Sequence, residues 1–531
     1  MELTRVEEKD SFLVEAYLQA YGLWRSRRLA EAGEVLRKSW RACGARSLRG
    51  MLLMGYILRD QKRYVSEIAC LQDLLERFGQ SGEDALLADA WSVLGSALRM
   101  LGESRLSVEA FRKSVALEPD VRKKLTECSN AIFSANAIDP VSAESMQSLY
   151  VEYRTLLEML SVRPFPVRQW NHRKIRVGYL SADLRNHPVA QFVQPLLVGY
   201  DAEAFSVYVY ALNEKQDVVT KALQAGGANW REAAGWSWEE IADAVRQDEV
   251  DILVDLAGHT AGNALPVFAW RPAPVQISGI GYFNSTGLRE TTGFLSDVHC
   301  APETASPYFT EPLLRLAHSH FCYQPFTHFP AEGTPPCLRK GYVTFGCFNH
   351  FSKVSDRVLR VWREILRAVP DSRLLLKHAL FDSEEGRDYT LRRLRNLDFP
   401  VDRVEMRGFS RDYLEQYRDV DIALDTRPYT GGLTTCEALY MGVPVITWIG
   451  AYHGARFGYS FLANLNLCEL AAADDQRYIE IARQLAGDPE LLQLLRRTLR
   501  GMMQKSPLMD AGLYRNEMES LYRELFLSAG R

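Results

Sequence analysis

Several familiar signatures are missing from this 531-residue chain. No apolar run reaches the roughly 18 residues a helix needs to cross a bilayer, so a membrane span is not expected. The opening MELTRVEEKDSF is charged from the start and lacks the basic and apolar regions of a secretory signal. Nine cysteines, at positions 43, 70, 128, 300, 322, 337, 347, 436 and 468, include no CxxC pair and have no histidine at zinc-ligand spacing. Reduced thiols and a cytoplasmic location are the expectation. Neither charge sign dominates: 63 basic against 67 acidic residues give a net charge of −4, so no overall field draws in nucleic acid or an anionic membrane. There is no GK[ST] phosphate loop and no GxGxxG fingerprint.

What remains is an ordinary globular composition, 47% apolar and 24% charged, which excludes a disordered or fibrous chain. At about 150 residues per domain the length predicts three to four domains. Residues 1–135 have helical periodicity with almost no proline, and the stretch 90–119 carries Trp91, Leu94, Gly95, Leu98, Gly102, Phe111 and Pro119 at tetratricopeptide-repeat spacing. Gly95, Ser107 and Ser114 are small enough for paired helices to approach. Gly55 heads a weaker copy 40 residues earlier, so FGQSGED between the copies reads as an insertion. A short solenoid with a polypeptide-binding face is expected. Residues 136–172 hold one more helix and a Pro-rich connector. Beyond it, short β runs alternate with helices in two sets, 173–335 and 336–531, predicting two tandem doubly wound parallel sheets with a cleft between them. Ligands of such sheets bind beyond the carboxyl ends of the strands, so the residues following each β run carry the interest.

After the run VDIALDT comes RPYTGGLTTCEALY, in which Gly431 and Gly432 precede a helix opened by Thr434, Thr435 and Glu437. Free amides at a helix start, with glycines that let the backbone approach, suit a diphosphate, and a β-carbon there would push it away. Glu437 is placed to accept from ribose hydroxyls; alternatively Thr434 is only a helix cap. After YVTFGCF, Asn349 and Lys353 bring an amide and an ammonium to a strand end, where the lysine suits a departing diphosphate. After VGYLS come Asp183, Asn186 and His187, with Pro188 starting a helix; His187 can accept a proton or donate to a sugar hydroxyl. After DILVDLA come Gly258, His259, Thr260, Gly262 and Asn263, on the acceptor or sugar side.

Together these segments closely resemble the O-linked N-acetylglucosamine transferase family, most of all its SPINDLY branch of protein O-fucosyltransferases. The stretches VGYLSADLRNHP, DILVDLAGHTAGN, RPAPVQISGIGY, YVTFGCFNHFSKV and DIALDTRPYTGGLTTCEALYMGVPVIT carry the likeness in order from about Ile175 to Tyr522. The resemblance implies a GT-B glycosyltransferase behind tetratricopeptide repeats, using a nucleotide sugar without a metal, and none of the Asp-rich segments looks like a DxD metal site. It implies that Lys353 contacts the donor diphosphate, that His187 stands at the sugar and acceptor end, that Glu437 binds ribose, and that Tyr413 lies near the base. Leu433 replaces a hydroxyl residue, and Asp251 stands where animal-type enzymes place a histidine proposed as base. The expected reaction is inverting transfer from a UDP-sugar, N-acetylglucosamine foremost, to Ser or Thr of a protein held partly by the repeats. The alternatives are GDP-fucose as donor, Asn or a small molecule as acceptor, and an inactive scaffold.

Overall fold

A computed structural model describes residues 11–166, 170 and 172–529; the N-terminal ten residues, part of the Pro-rich connector at 167–169 and 171, and the last two residues lie outside the described set. Eight helices come first: α1 (Ser11–Arg25), α2 (Leu29–Cys43), α3 (Leu48–Asp60), α4 (Tyr64–Phe78), α5 (Asp84–Met100), α6 (Ser104–Leu117), α7 (Val121–Ala135) and α8 (Ala143–Glu158). The expected small residues sit where paired helices meet. A β-carbon on Gly55 would stand 3.0 Å from Leu71 of α4, and one on Gly95 would stand 3.0 Å from the Phe111 ring of α6. Ser107 Oγ and Ser114 Oγ instead tie their helix to α5 through the carbonyls of Gly95 and Ala88, each at 2.8 Å. The FGQSGED stretch is the α4–α5 turn, and Pro119 follows the end of α6.

The remainder forms two wholly parallel sheets. The first contains β1 (Ile175–Ser181), β2 (Phe205–Ala211), β3 (Asn229–Glu232), β4 (Ile252–Asp255), β5 (Val275–Ser278), β6 (Gly293–Asp297) and β7 (Leu313–Leu316), in the order β3-β2-β1-β4-β5-β6-β7. The second contains β8 (Thr344–Cys347), β9 (Arg373–Lys377), β10 (Val404–Arg407), β11 (Ile422–Leu424), β12 (Val445–Trp448) and β13 (Ala471–Ala472), in the order β10-β9-β8-β11-β12-β13. Each order reverses once, between β1 and β4 and between β8 and β11, and such switch points open crevices at the carboxyl edge. The central strands β1, β4 and β8 are largely buried and apolar, as sheets covered by helices on both sides require. Strands β3, β6, β7 and β13 are absent from the sequence reading: they are short, and NWRE and AA carry little β signal. The helix Ala511–Ala529 returns to the first sheet, where Tyr522 and Tyr179 share a 2.9 Å hydrogen bond.

The helical region packs against both sheets. His259, after β4, is buried with one ring nitrogen 2.9 Å from Ser129 Oγ of α7 and the other 2.8 Å from the Thr286 carbonyl. Gly258 presses on the Tyr282 ring and its amide donates to Asp255, while Thr260 Oγ1 bonds the Ala257 carbonyl. Both nitrogens of His259, expected on the acceptor or sugar side, are thus engaged inside the protein, and burial lowers its pKa to about 4. Asn136, just past α7, bonds Tyr282 and Asn284, and Asp139 pairs with Arg427 of the second sheet at 3.2 Å. On the outer side Lys62 and Arg63 meet Asp382 and Glu385.

Deleting residues 1–135 removes Ser129 and Phe133 from the first sheet, exposing Tyr282 and Phe283. Losing several kcal/mol of such packing lowers Tm by about 10 °C or leaves no cooperative transition. Circular dichroism melts with size-exclusion chromatography check this, and a truncated chain melting with the parent would refute it.

Candidate functional site

The residues singled out by sequence follow β1, β4, β8 and β11, the strands beside the two switch points, with Tyr413 beyond β10. Asp425 organises the best-defined part. It ends β11 with its carboxylate buried, accepting from the amides of Gly431 at 2.7 Å and Thr426 at 2.8 Å, from Thr447 Oγ1 at 2.8 Å and from Asn349 Nδ2 at 3.3 Å. Burial raises its pKa, opposed by those donors and by the nearby Lys353. The 425–431 loop is thus folded back on its own strand end.

Asn349 spans the crevice between β8 and β11: its amide nitrogen reaches Asp425, and its oxygen accepts from Thr434 Oγ1 at 2.8 Å. Thr434 is therefore not the cap of its helix, Leu433–Tyr440; Gly432 takes that position, with no side-chain cap. The Thr435 hydroxyl is committed to the Gly431 carbonyl at 3.1 Å, and the Gly431 amide to Asp425. This narrows the expected anion cradle. Among the described residues, the amides of Gly432, Leu433 and Thr434 donate to no protein group, and they carry the positive end of the helix dipole.

The two glycines differ. A β-carbon on Gly431 would fall 2.5 Å from Thr435 Oγ1 and 2.8 Å from Thr434 Oγ1, whereas one on Gly432 meets nothing within 4 Å. Gly432 has φ −97°, so no left-handed geometry demands a glycine there.

Lys353 reaches back from the turn after β8. Its Nζ donates to the Thr430 carbonyl at 3.2 Å and lies 3.5 Å from the centre of the Tyr429 ring. Burial lowers its pKa to about 8, with Asp425 acting against the shift, so the ammonium is mainly charged at neutral pH. Glu437 is buried one turn into Leu433–Tyr440 and accepts from Tyr413 Oη. Burial pushes its carboxyl up to about 8. The expected ribose-binding acid and base-side tyrosine are thus hydrogen-bonded partners.

On the other sheet, His187 caps the helix Pro188–Leu197, accepting from the Val189 amide at Nδ1 across 3.4 Å, with Asp183 3.6 Å from the same nitrogen. Burial lowers its pKa, opposed by Asp183. A neutral ring whose Nδ1 accepts carries its proton on Nε2, so the second nitrogen is a donor. Asp251 precedes β4 at the amino edge of the sheet, with Oδ2 on the Arg176 amide at 2.8 Å. It stands opposite the carboxyl-edge crevice. Sequence reasoning missed Tyr429 and Phe283, whose rings stack at 3.9 Å across the two sheets; aromatic residues beside GIGY and TGG were the available signal.

Two substitutions test this geometry. Gly431→Ala should cost about 1–3 kcal/mol through overpacking, whereas Gly432→Val should leave Tm within about 2 °C, read by calorimetry. Glu437 keeps its proton up to about pH 8 when folded but releases it in the ordinary carboxylate range when unfolded, so its contribution to stability falls as pH rises between those limits. Glu437→Gln removes this dependence. Its Tm advantage over the parent should grow from about pH 5 to about 8 and then level, and a constant difference would contradict the buried acid.

Residues 144–331 and 337–518 match the model of glycosyl transferase family 41. The SPINDLY protein of Oryza sativa subsp. japonica is 36% identical over 432 residues, covering 79% of this chain and 46% of that protein. The SPINDLY protein of Solanum lycopersicum is 39% identical over 362 residues, 67% of this chain and 39% of that one. The chain thus spans less than half the length of these curated relatives. Among solved structures, a mutant of the Thermobaculum terrenum O-GlcNAc transferase superposes with a TM-score of 0.85 at 28% identity, covering 99% of both chains. With the repeat region, the two switch-point crevices and the matched segments in agreement, the chain belongs to glycosyl transferase family 41 and has the GT-B fold.

Proposed function

We propose that this protein transfers a sugar from a UDP-sugar, UDP-N-acetylglucosamine foremost, with inversion onto a Ser or Thr hydroxyl of a protein or peptide. The observation that carries the reading is the meeting of the Lys353 ammonium with the unspent amides of Gly432, Leu433 and Thr434 at one switch point. A diphosphate seated there faces a single cation and a helix start, each half-buried. Charge accumulating on the leaving diphosphate as the glycosidic bond breaks is what such fixed groups stabilise. Glu437 and Tyr413 stand at the ribose and base end. His187 Nε2–H donates to a sugar or acceptor hydroxyl, and its lowered pKa keeps the ring neutral for this role. The names of the relatives support the donor: the rice protein is described as a probable UDP-N-acetylglucosamine–peptide N-acetylglucosaminyltransferase, and the Thermobaculum protein as an O-GlcNAc transferase. The polypeptide acceptor follows from the same names and from the repeats preceding the catalytic sheets.

Lys353→Ala should lower turnover by about two to four orders of magnitude, the range for removing one preorganised electrostatic contact, with the chain still folded. A soluble variant keeping more than half the activity would remove Lys353 from the mechanism. For the donor, a thermal-shift series with UDP, GDP and dTDP should show the largest rise with UDP, since a ligand of the native state raises Tm. A larger rise with GDP would move the chain to fucosyl donors. Gly432→Val should abolish the UDP response while melting like the parent.

A further inference from the structure

Lys353 is in contact with a ring that nothing so far accounts for. Tyr429 lies in the loop between β11 and the helix Leu433–Tyr440, with the Lys353 Nζ 3.5 Å from its ring centre. On Tyr429 stacks Phe283, from the segment after β5, at 3.9 Å and 23° between planes. Phe133 of α7 meets Phe283 edge-on at 5.5 Å, and the Arg99 guanidinium of α5 lies 5.3 Å from the Phe133 ring. The row therefore runs from the helical region through the first sheet to the donor lysine of the second. The loop bearing Tyr429 is fixed on its N-terminal side as well. Arg427 pairs with Asp139, and Tyr452 Oη donates to the Pro428 carbonyl at 3.1 Å.

We propose that Tyr429 is a positioning residue for Lys353: its ring, braced by Phe283, holds the ammonium at the place where the donor diphosphate sits. A lysine is a point charge on a four-carbon stem and makes no fork of directed bonds, so its position must be imposed by its surroundings. A braced aromatic face does this, since it attracts the cation without neutralising it and leaves the ammonium hydrogens for a ligand. The Asp425 carboxylate, already satisfied by four other donors, supplies longer-range attraction. The other groups near the ammonium are the Thr430 carbonyl and the Cys347 thiol at the end of β8. Burial holds the Tyr429 phenol well above its ordinary value, so the ring stays neutral.

The place of the diphosphate rests on the reading given under Proposed function; the hold of the ring on the lysine does not, and the test separates them. Competitive labelling with acetic anhydride across pH 6–11, read by mass spectrometry on the peptide carrying Lys353, gives the titration of that one amine with no donor present. The parent should titrate near 8. Tyr429→Leu leaves the lysine buried but without the ring, so its titration should fall by about 0.5–1.5 pH units. Tyr429→Phe keeps the ring and should restore the parent curve; Tyr429→Met serves in place of the leucine variant if that one does not fold. In UDP-sugar hydrolysis the leucine variant should lose about tenfold in kcat and recover it with phenylalanine. An unchanged or raised titration in Tyr429→Leu, or a phenylalanine variant matching the leucine one, would overturn the proposal. Failure of the donor reading shows elsewhere, as undiminished turnover in Lys353→Ala, and leaves the titration result standing.

Discussion

A carboxylate at the end of a buried parallel strand is costly unless every lone pair finds a donor, and Asp425 is held under that constraint. Its donors come from three directions: the loop ahead of it, through the Gly431 and Thr426 amides; β12, through Thr447; and β8, through Asn349. Satisfying one charge therefore fixes the return of the loop, the separation of β8 from β11 and the orientation of Asn349. Asn349 in turn engages Thr434 and sets the start of the following helix against the β8 end. Amides left over at that helix start are available to a ligand because the amide before them has been spent on the carboxylate.

The helical region is a third wall beside the two sheets. Ser129 fills one ring nitrogen of His259, Asn136 satisfies Tyr282 and Asn284, and Asp139 neutralises Arg427 beside the donor loop. These contacts are buried or half-buried and cross between elements that neither sheet supplies. A repeat array that only carried a polypeptide to the enzyme would need no such bonds. The same helices also hold the loop bearing Tyr429.

How much of this was legible depends on whether a role is written in local chemistry or in the pairing of distant segments. The strand ends, the β11–glycine–helix sequence and Lys353 were legible because apolar runs and glycines punctuate the chain wherever a parallel sheet turns. Pro188 at a helix start and Ser355 capping the helix Asp356–Ala368 are local signals of the same kind. The packing of His259 was not legible because a histidine beyond a strand end looks the same whether it faces a crevice or a neighbouring helix, and Ser129 lies 130 residues away. Gly431 and Gly432 were treated alike, although one is glycine because of Thr434 and Thr435 and the other faces open space. The Tyr413–Glu437 bond and the Phe283–Tyr429 stack join segments far apart in sequence and leave no periodic trace.

The electrostatics of the crevice follow from burial more than from the number of charges. Lys353 and Glu437 are both shifted to about 8, the amine downward and the acid upward, each because burial disfavours its charged form. Near neutral pH Lys353 is therefore charged and Glu437 protonated, and the Asp425 carboxylate is the negative group facing the ammonium. A protonated Glu437 keeps both a donor and an acceptor oxygen, which a carboxylate would not. On the proposed function, a bound diphosphate would face this ammonium in a setting where water screens little, so the attraction would strengthen as negative charge grows on the leaving group. On that reading the cost of burying the lysine would be recovered in the step where charge is formed.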